Sequence, residues 1–323
     1  MRLALLLACA LPLLAVDGVV LNGTTGKPQA DVAVSLLQPG AGGMQELGSA
    51  KSDAQGQFKI DKDIPPGPGL LQAAYQGATY NQIITPGSPT TGVQLKVFDS
   101  TKDAGVAKGA EHLILLEPVR GELKISETFI FENQSNQTFN DPLKGSAQFF
   151  LPPSVAGTTQ VTVSGPGGLP IRRPAMKTPQ AGMYKVDYPL KPGETRFDVA
   201  YSLPAAQKFA GKIMSSATAT HLVTPATVTL TGDGIELAGQ EPQTRAHIYN
   251  LTGLDYKVLI EGEGALRGDN PGAQAGTQQQ EDDGSPKVEV KAARIYSRLG
   301  WIMGLTFGIL ALGGFMLYKR GTV

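Results

Sequence analysis

From about residue 16 to residue 266 the chain runs in short stretches in which every second residue is apolar. Val32, Val34 and Leu36 form one such run; Leu123, Ile125, Phe129 and Phe131 form another; Phe197, Val199, Tyr201 and Leu203 a third. A period of two places these side chains on one face of a β-strand and does not make a helical stripe. Pro39-Gly40, Pro86-Gly87, Pro166-Gly167-Gly168 and Pro192-Gly193 cut the runs where turns are needed. With 40 Gly and 23 Pro in 323 residues and 17% charged residues, the pattern predicts an all-β fold of tandem antiparallel β-sandwiches.

Two apolar segments frame this region. Arg2 followed by an apolar run to Ala15 predicts an export signal at 1–15, too short to span a bilayer. Residues 299–318 hold no charge, and at 1.5 Å per residue they match a hydrocarbon core of about 30 Å, which predicts one transmembrane helix. Tyr296 and Trp301 mark one membrane interface and Tyr318 the other, with a five-residue tail at 319–323. Gly300, Gly304 and Gly308 share a helix face, either as ordinary glycine enrichment or as a helix-packing strip for a homo-oligomer or a membrane partner. An export signal outranks the basic residues that precede the span. The expected topology is therefore a single-pass cell-membrane protein, with residues 16–298 periplasmic or extracellular and the C-terminus cytoplasmic.

Lys plus Arg equals Asp plus Glu, at 28 each, so no surplus of positive charge exists to release counterions from nucleic acid. The one Cys lies within the export signal, which leaves the mature chain without disulfides. His112, His221 and His247 lack metal-ligand spacing, and no nucleophile elbow or phosphate loop is present. The expectation is no catalytic, cofactor or metal residue.

Residues 16–98 carry Gly18-Val19-Val20, Thr25-Gly26-Lys27-Pro28 and Ser52-Asp53-Ala54-Gln55-Gly56-Gln57-Phe58. Gly26 and Gly56 suit turn conformations, Pro28 restarts an edge, and Phe58 points to a core. This stretch resembles the carboxypeptidase regulatory-like domain, a resemblance that implies a transthyretin-like or starch-binding-like sandwich without catalysis. Some members of that fold group bind carbohydrate, and Tyr75 and Tyr80 are the candidate platform here, which requires both to be exposed on one face.

Residues 99–109 are small and polar and read as a linker. Residues 110–266 are expected as a larger sandwich region, one unit or two meeting near Pro204. The runs around 127–135, 149–152 and 192–194 are similar to exported bacterial immunoglobulin-like domains. Glu127 breaks the pattern, because its parity matches Leu123, Ile125 and Phe129 and a regular strand would bury its carboxylate. Either a bulge or an edge position frees it, or it pairs with an Arg such as Arg120 or Arg196 to organise a ligand surface. Residues 267–298 contain few large apolar groups and are expected as a disordered stalk with a juxtamembrane segment.

Together these features predict a non-enzymatic, membrane-anchored envelope protein. Its exported modules would bind an envelope protein or a membrane complex; the alternative is a glycan of the cell wall bound by the N-terminal module.

Overall fold

The computed structural model describes residues 15–40, 42–62, 67–214 and 219–266. The expected stalk, membrane span, Gly300, Gly304, Gly308, Tyr296, Trp301 and Tyr318 lie outside the described residues, as does the export signal up to residue 14. Among the described residues no helix is long and apolar enough to cross a membrane. Those residues form twenty-four strands and one short 3-10 turn, an all-β architecture.

The first eight strands enclose one core. β1 (Val16–Asn22) pairs with β2 (Lys27–Pro28) and with β5 (Gln57–Ile60), and runs parallel to β8 (Val93–Val97). A second sheet has the order β4 (Gly43–Lys51), β3 (Ala33–Gly40), β6 (Gly69–Tyr75), β7 (Ala78–Ile84). Val16, Val20, Phe58 and Leu95 from one sheet share a cluster with Val34, Leu36, Leu71 and Ile84 from the other. Each large apolar side chain so enclosed contributes about 1.5–3 kcal/mol relative to exposure. Gly56 adopts φ +73°, and a Cβ there would stand 2.7 Å from the Val20 carbonyl oxygen, so the turn excludes a side chain.

Residues 99–109 are ordered structure and not a free linker. They supply β9 (Ser100–Thr101), the 3-10 turn Ala104–Val106 and the first residues of β10 (Lys108–Val119). Next along the chain comes an eight-stranded sheet in the order β15, β14, β18, β11, β10, β20, β23, β22. Its members are β11 (Glu122–Asn133), β14 (Ala156–Ser164), β15 (Ile171–Arg173), β18 (Gly193–Pro204), β20 (Ala219–Thr224), β22 (Ile235–Gln240) and β23 (His247–Leu251). The strand pair β10–β20 is parallel, as are β1–β8 and β9 with β12 (Thr138–Phe139), so the purely antiparallel expectation is corrected to a mixed one.

Two three-stranded sheets complete the region. One has β13 (Ala147–Phe150), β17 (Met183–Val186) and β16 (Met176–Lys177). The other has β19 (Lys208–Lys212), β24 (Asp255–Glu261) and β21 (Thr229–Asp233). Phe149 and Val186 from the first, and Leu230 and Val258 from the second, join Ile125, Phe197 and Leu222 of the large sheet in one hydrophobic cluster. That single cluster crosses Pro204, because the parallel pairing of β10 with β20 joins strands from either side of that residue in one sheet.

The two cores are fastened to each other. β9 leaves the first module and pairs with β12 of the second. The Tyr80 hydroxyl donates to the Phe98 carbonyl oxygen (2.9 Å) and lies 2.8 Å from Thr138 Oγ1. Thr24 Oγ1 donates to the Asn136 carbonyl, and the Asn136 amide donates to the Thr24 carbonyl in return. The buried Lys191 ammonium stands 5.5 Å from the Tyr80 ring centre and 5.8 Å from that of Tyr188, one ring from each module.

Candidate functional site

The β10–β11 hairpin turns through Arg120 and Gly121, at φ +52° and +83°, the two-residue geometry that matches strand twist. From that turn the register brings His112 opposite Phe129 and Ile114 opposite Glu127. On β11 the residues Leu123, Ile125, Glu127 and Phe129 all point inward, and the strand stays regular through Glu127. The bulge lies on β10, between Gly109 and Glu111.

Glu127 is therefore buried, with 6% exposure, and so is His112. Glu127 Oε2 lies 3.0 Å from His112 Nε2, and Oε1 accepts a 2.8 Å hydrogen bond from the Tyr201 hydroxyl. Phe129 stacks on the His112 ring, with centroids 4.0 Å apart. Burial, and then the Glu127 charge, push Tyr201 well above the ordinary phenol range, so it remains a donor. Tyr256 is raised by the same two causes in the same order. A carboxylate with both oxygens accepting makes Nε2 the donating nitrogen of His112. Its Nδ1 has no hydrogen-bond partner among the described residues.

Neither expected Arg reaches Glu127. Arg120 sits at the hairpin tip, beyond Glu122, which is itself five residues or about 17 Å along the strand from Glu127. Arg196 lies opposite Ile130 on the outer face, where its guanidinium pairs with Asp198 at 2.8 Å. The bulge or edge alternative at Glu127 is corrected on the same register: the carboxylate is buried in a central strand, and an inward His and Tyr satisfy it.

His112 and Phe129 line a cleft of about 440 Å³ between the start of β10 and the segment leading into β13. Phe131, Phe139 and Leu190 supply apolar walls, and Lys108, Lys144 and Glu111 are its charged side chains. Ser146 also borders the cleft, but its hydroxyl donates to the Tyr188 carbonyl and accepts from the Tyr188 N–H.

The two tyrosines expected on a glycan-binding face belong instead to the module junction. Tyr80 is buried at 6% exposure because its ring fills the end of the first core and its hydroxyl bridges to Thr138. Tyr75 is half-buried and donates to Asp99 Oδ1 at 2.9 Å. Burial and then Asp99 push Tyr75 up to about 12. Asn22, also buried, donates to the same Asp99 oxygen at 2.7 Å.

The other histidines stand apart: His221 Nδ1 lies 2.9 Å from Asn250 Oδ1, and His247 Nδ1 lies 2.9 Å from the Val228 carbonyl. Parity alone marked Glu127. His112 has inward parity with Ile114 and Leu116, and pairing the two strands from the Arg120-Gly121 turn would have placed it beside Glu127.

No family model and no curated protein sequence matches the chain. Among solved structures it is similar to an M1 zinc metallopeptidase from Deinococcus radiodurans, with 14% identity over 47% of this chain and 42% of that chain, at a TM-score of 0.28. A mutant of that enzyme bound to a tripeptide substrate gives the same identity and coverage at a TM-score of 0.27. The chain spans less than half the length of these structures, and likeness at this level carries no argument about fold or activity.

Proposed function

We propose that the chain is a non-enzymatic, membrane-anchored envelope protein whose exported β-modules bind a partner protein or membrane complex. In this reading a transthyretin-like module precedes an immunoglobulin-like region, and the apolar segment at 299–318 anchors both. The observation that carries it is the junction. Asp99, Tyr80, Thr138 and Lys191 tie the first core to the second, so the two modules offer one pre-organised surface. Such a surface binds without first losing the freedom of a hinge. The non-enzymatic part is supported by how chemically capable side chains are used: Ser146 is engaged by the Tyr188 backbone, and Glu127 by His112 and Tyr201.

The glycan alternative loses its aromatic platform in residues 16–98, since Tyr80 is buried and the Tyr75 hydroxyl bonds to Asp99. Crosslinking of the full chain in its native membrane, with mass spectrometry as the readout, tests the proposal. Crosslinks from residues 16–266 to one recurrent envelope protein are expected. Replacing Gly300, Gly304 and Gly308 by leucine would remove the subset that depends on helix packing. A chain that crosslinks to no protein in either form would sink the proposal.

A further inference from the structure

Within the cleft, His112 is the unusual group. It is more than nine-tenths buried, yet Nδ1 has no partner among the described residues and the ring lines an open space of about 440 Å³. That volume is typical of a small-ligand pocket: mostly apolar, with a few placed polar groups. Glu127 holds the ring from behind through Nε2, and Phe129 holds it from the side. An imidazole fixed at two points and free at the third is set to meet a ligand atom at a defined position.

The surroundings decide the sign of that ligand. Of the charged groups lining the cleft, Lys108 and Lys144 are cationic and Glu111 is anionic. Behind the ring, Glu127 Oε2 faces Nε2 at 3.0 Å, and Tyr201 donates to the other carboxylate oxygen at 2.8 Å. A ligand carboxyl group brought to Nδ1 shares its own proton with the ring, which then donates at both nitrogens, to Glu127 and to the ligand. An anion meeting this donor gains a charge-assisted hydrogen bond, and its apolar remainder covers Phe129, Phe131, Phe139 and Leu190.

We propose that this cleft binds a carboxylate carried on an apolar chain, with His112 Nδ1 as the donor to the carboxylate and the phenylalanines as the bed for the chain. Each methylene laid on that bed adds about 0.8 kcal/mol, so affinity rises with chain length until the cleft is filled. Two sources share this chemistry: a fatty acid, and the C-terminal carboxylate of a peptide that ends in an apolar residue. The inference stands or falls independently of the partner-protein reading.

The test is photolabelling of the full chain in detergent with two diazirine probes, a medium-chain fatty acid and a capped dipeptide ending in free leucine. Each is run beside its methyl ester, and labelled peptides are mapped by mass spectrometry. At least one acid is expected to label residues between 104 and 148 about tenfold more than its ester, the ratio one charge-assisted hydrogen bond supplies. Labelling by the fatty acid alone identifies a lipid source, and labelling by the dipeptide alone identifies a peptide terminus.

Ala104→Trp and Gln148→Trp block the cleft from exposed positions without touching His112, and each should abolish that labelling. His112→Asn should reduce the acid-over-ester ratio to near one. Equal labelling by acid and ester overturns the proposal. So does labelling that persists in both tryptophan variants, or no labelling of the cleft by either acid.

Discussion

Glu127 and His112 stand one diagonal step apart on paired strands, and a 3.0 Å contact closes between them because both point into the core. On the opposite neighbour, β18, Tyr201 occupies the matching diagonal, two residues from Val199, which faces Glu127. Diagonal neighbours in a sheet lie about 7–8 Å apart at Cα, a gap that long polar side chains bridge and short ones do not. A Glu between a His and a Tyr at these positions is thus satisfied from both sides without leaving the core.

Removing that carboxylate should be costly. Glu127→Ala leaves the Tyr201 hydroxyl and His112 Nε2 unpaired and buried, so a loss of about 3–5 kcal/mol is expected. Glu127→Gln keeps one acceptor and should cost less. Urea unfolding of the full chain, monitored by circular dichroism, measures both; an alanine variant as stable as the parent would contradict the buried cluster.

Lys191 makes a prediction about pH. Burial lowers its pKa to about 8 from the usual 10.5, so between those values the unfolded chain binds more protons than the folded one. Stability then rises with pH across that window through this residue. Below about 8 the folded state carries a buried ammonium, with two tyrosine rings as its nearest offset. Lys191→Met should therefore be more stable than the parent at neutral pH, and the difference should shrink as pH climbs from about 8 towards 10. Paired thermal unfolding across that range reads the difference directly. A constant gap would show that Lys191 does not titrate there.

Tyr80→Phe tests the junction. The lost hydroxyl leaves Thr138 Oγ1 and the Phe98 carbonyl without this partner, at an expected cost of about 1–3 kcal/mol. Faster amide exchange should appear at Thr138 and Asn140, whose N–H groups donate to Asp99 and Thr101 across the seam. Exchange that changes only inside the first core would place the role of Tyr80 in packing alone.

Gly56→Ala combines a left-handed backbone with a Cβ 2.7 Å from the Val20 carbonyl oxygen. The backbone term alone costs about 1–2 kcal/mol, and the clash adds to it. A lower unfolding midpoint of the first module, with the second unaffected until higher denaturant, would distinguish this local effect from loss of the junction.

The division between inward and outward side chains was legible along the chain. Alternation along Leu123, Ile125, Phe129 and along Phe197, Val199, Tyr201, Leu203 is a local property of extended backbone, and the structure buries these side chains as parity requires. Gly26 and Gly56 were legible for the same reason, since a positive φ at a turn is decided within a few residues. Partnership was not legible.

Glu127 could be marked as inward but not matched. Arg120 and Arg196 were the cations proposed for it, whereas the register carries one to a hairpin tip and the other to the opposite face. Tyr80 likewise looks the same in sequence whether it is a platform or a seal; its ring joins the first core, and the partners that make it a seal, Thr138 and Lys191, lie more than fifty residues away. Which faces meet is decided by strand order and the parallel crossovers, through contacts between distant residues, and those appear only once the chain has folded.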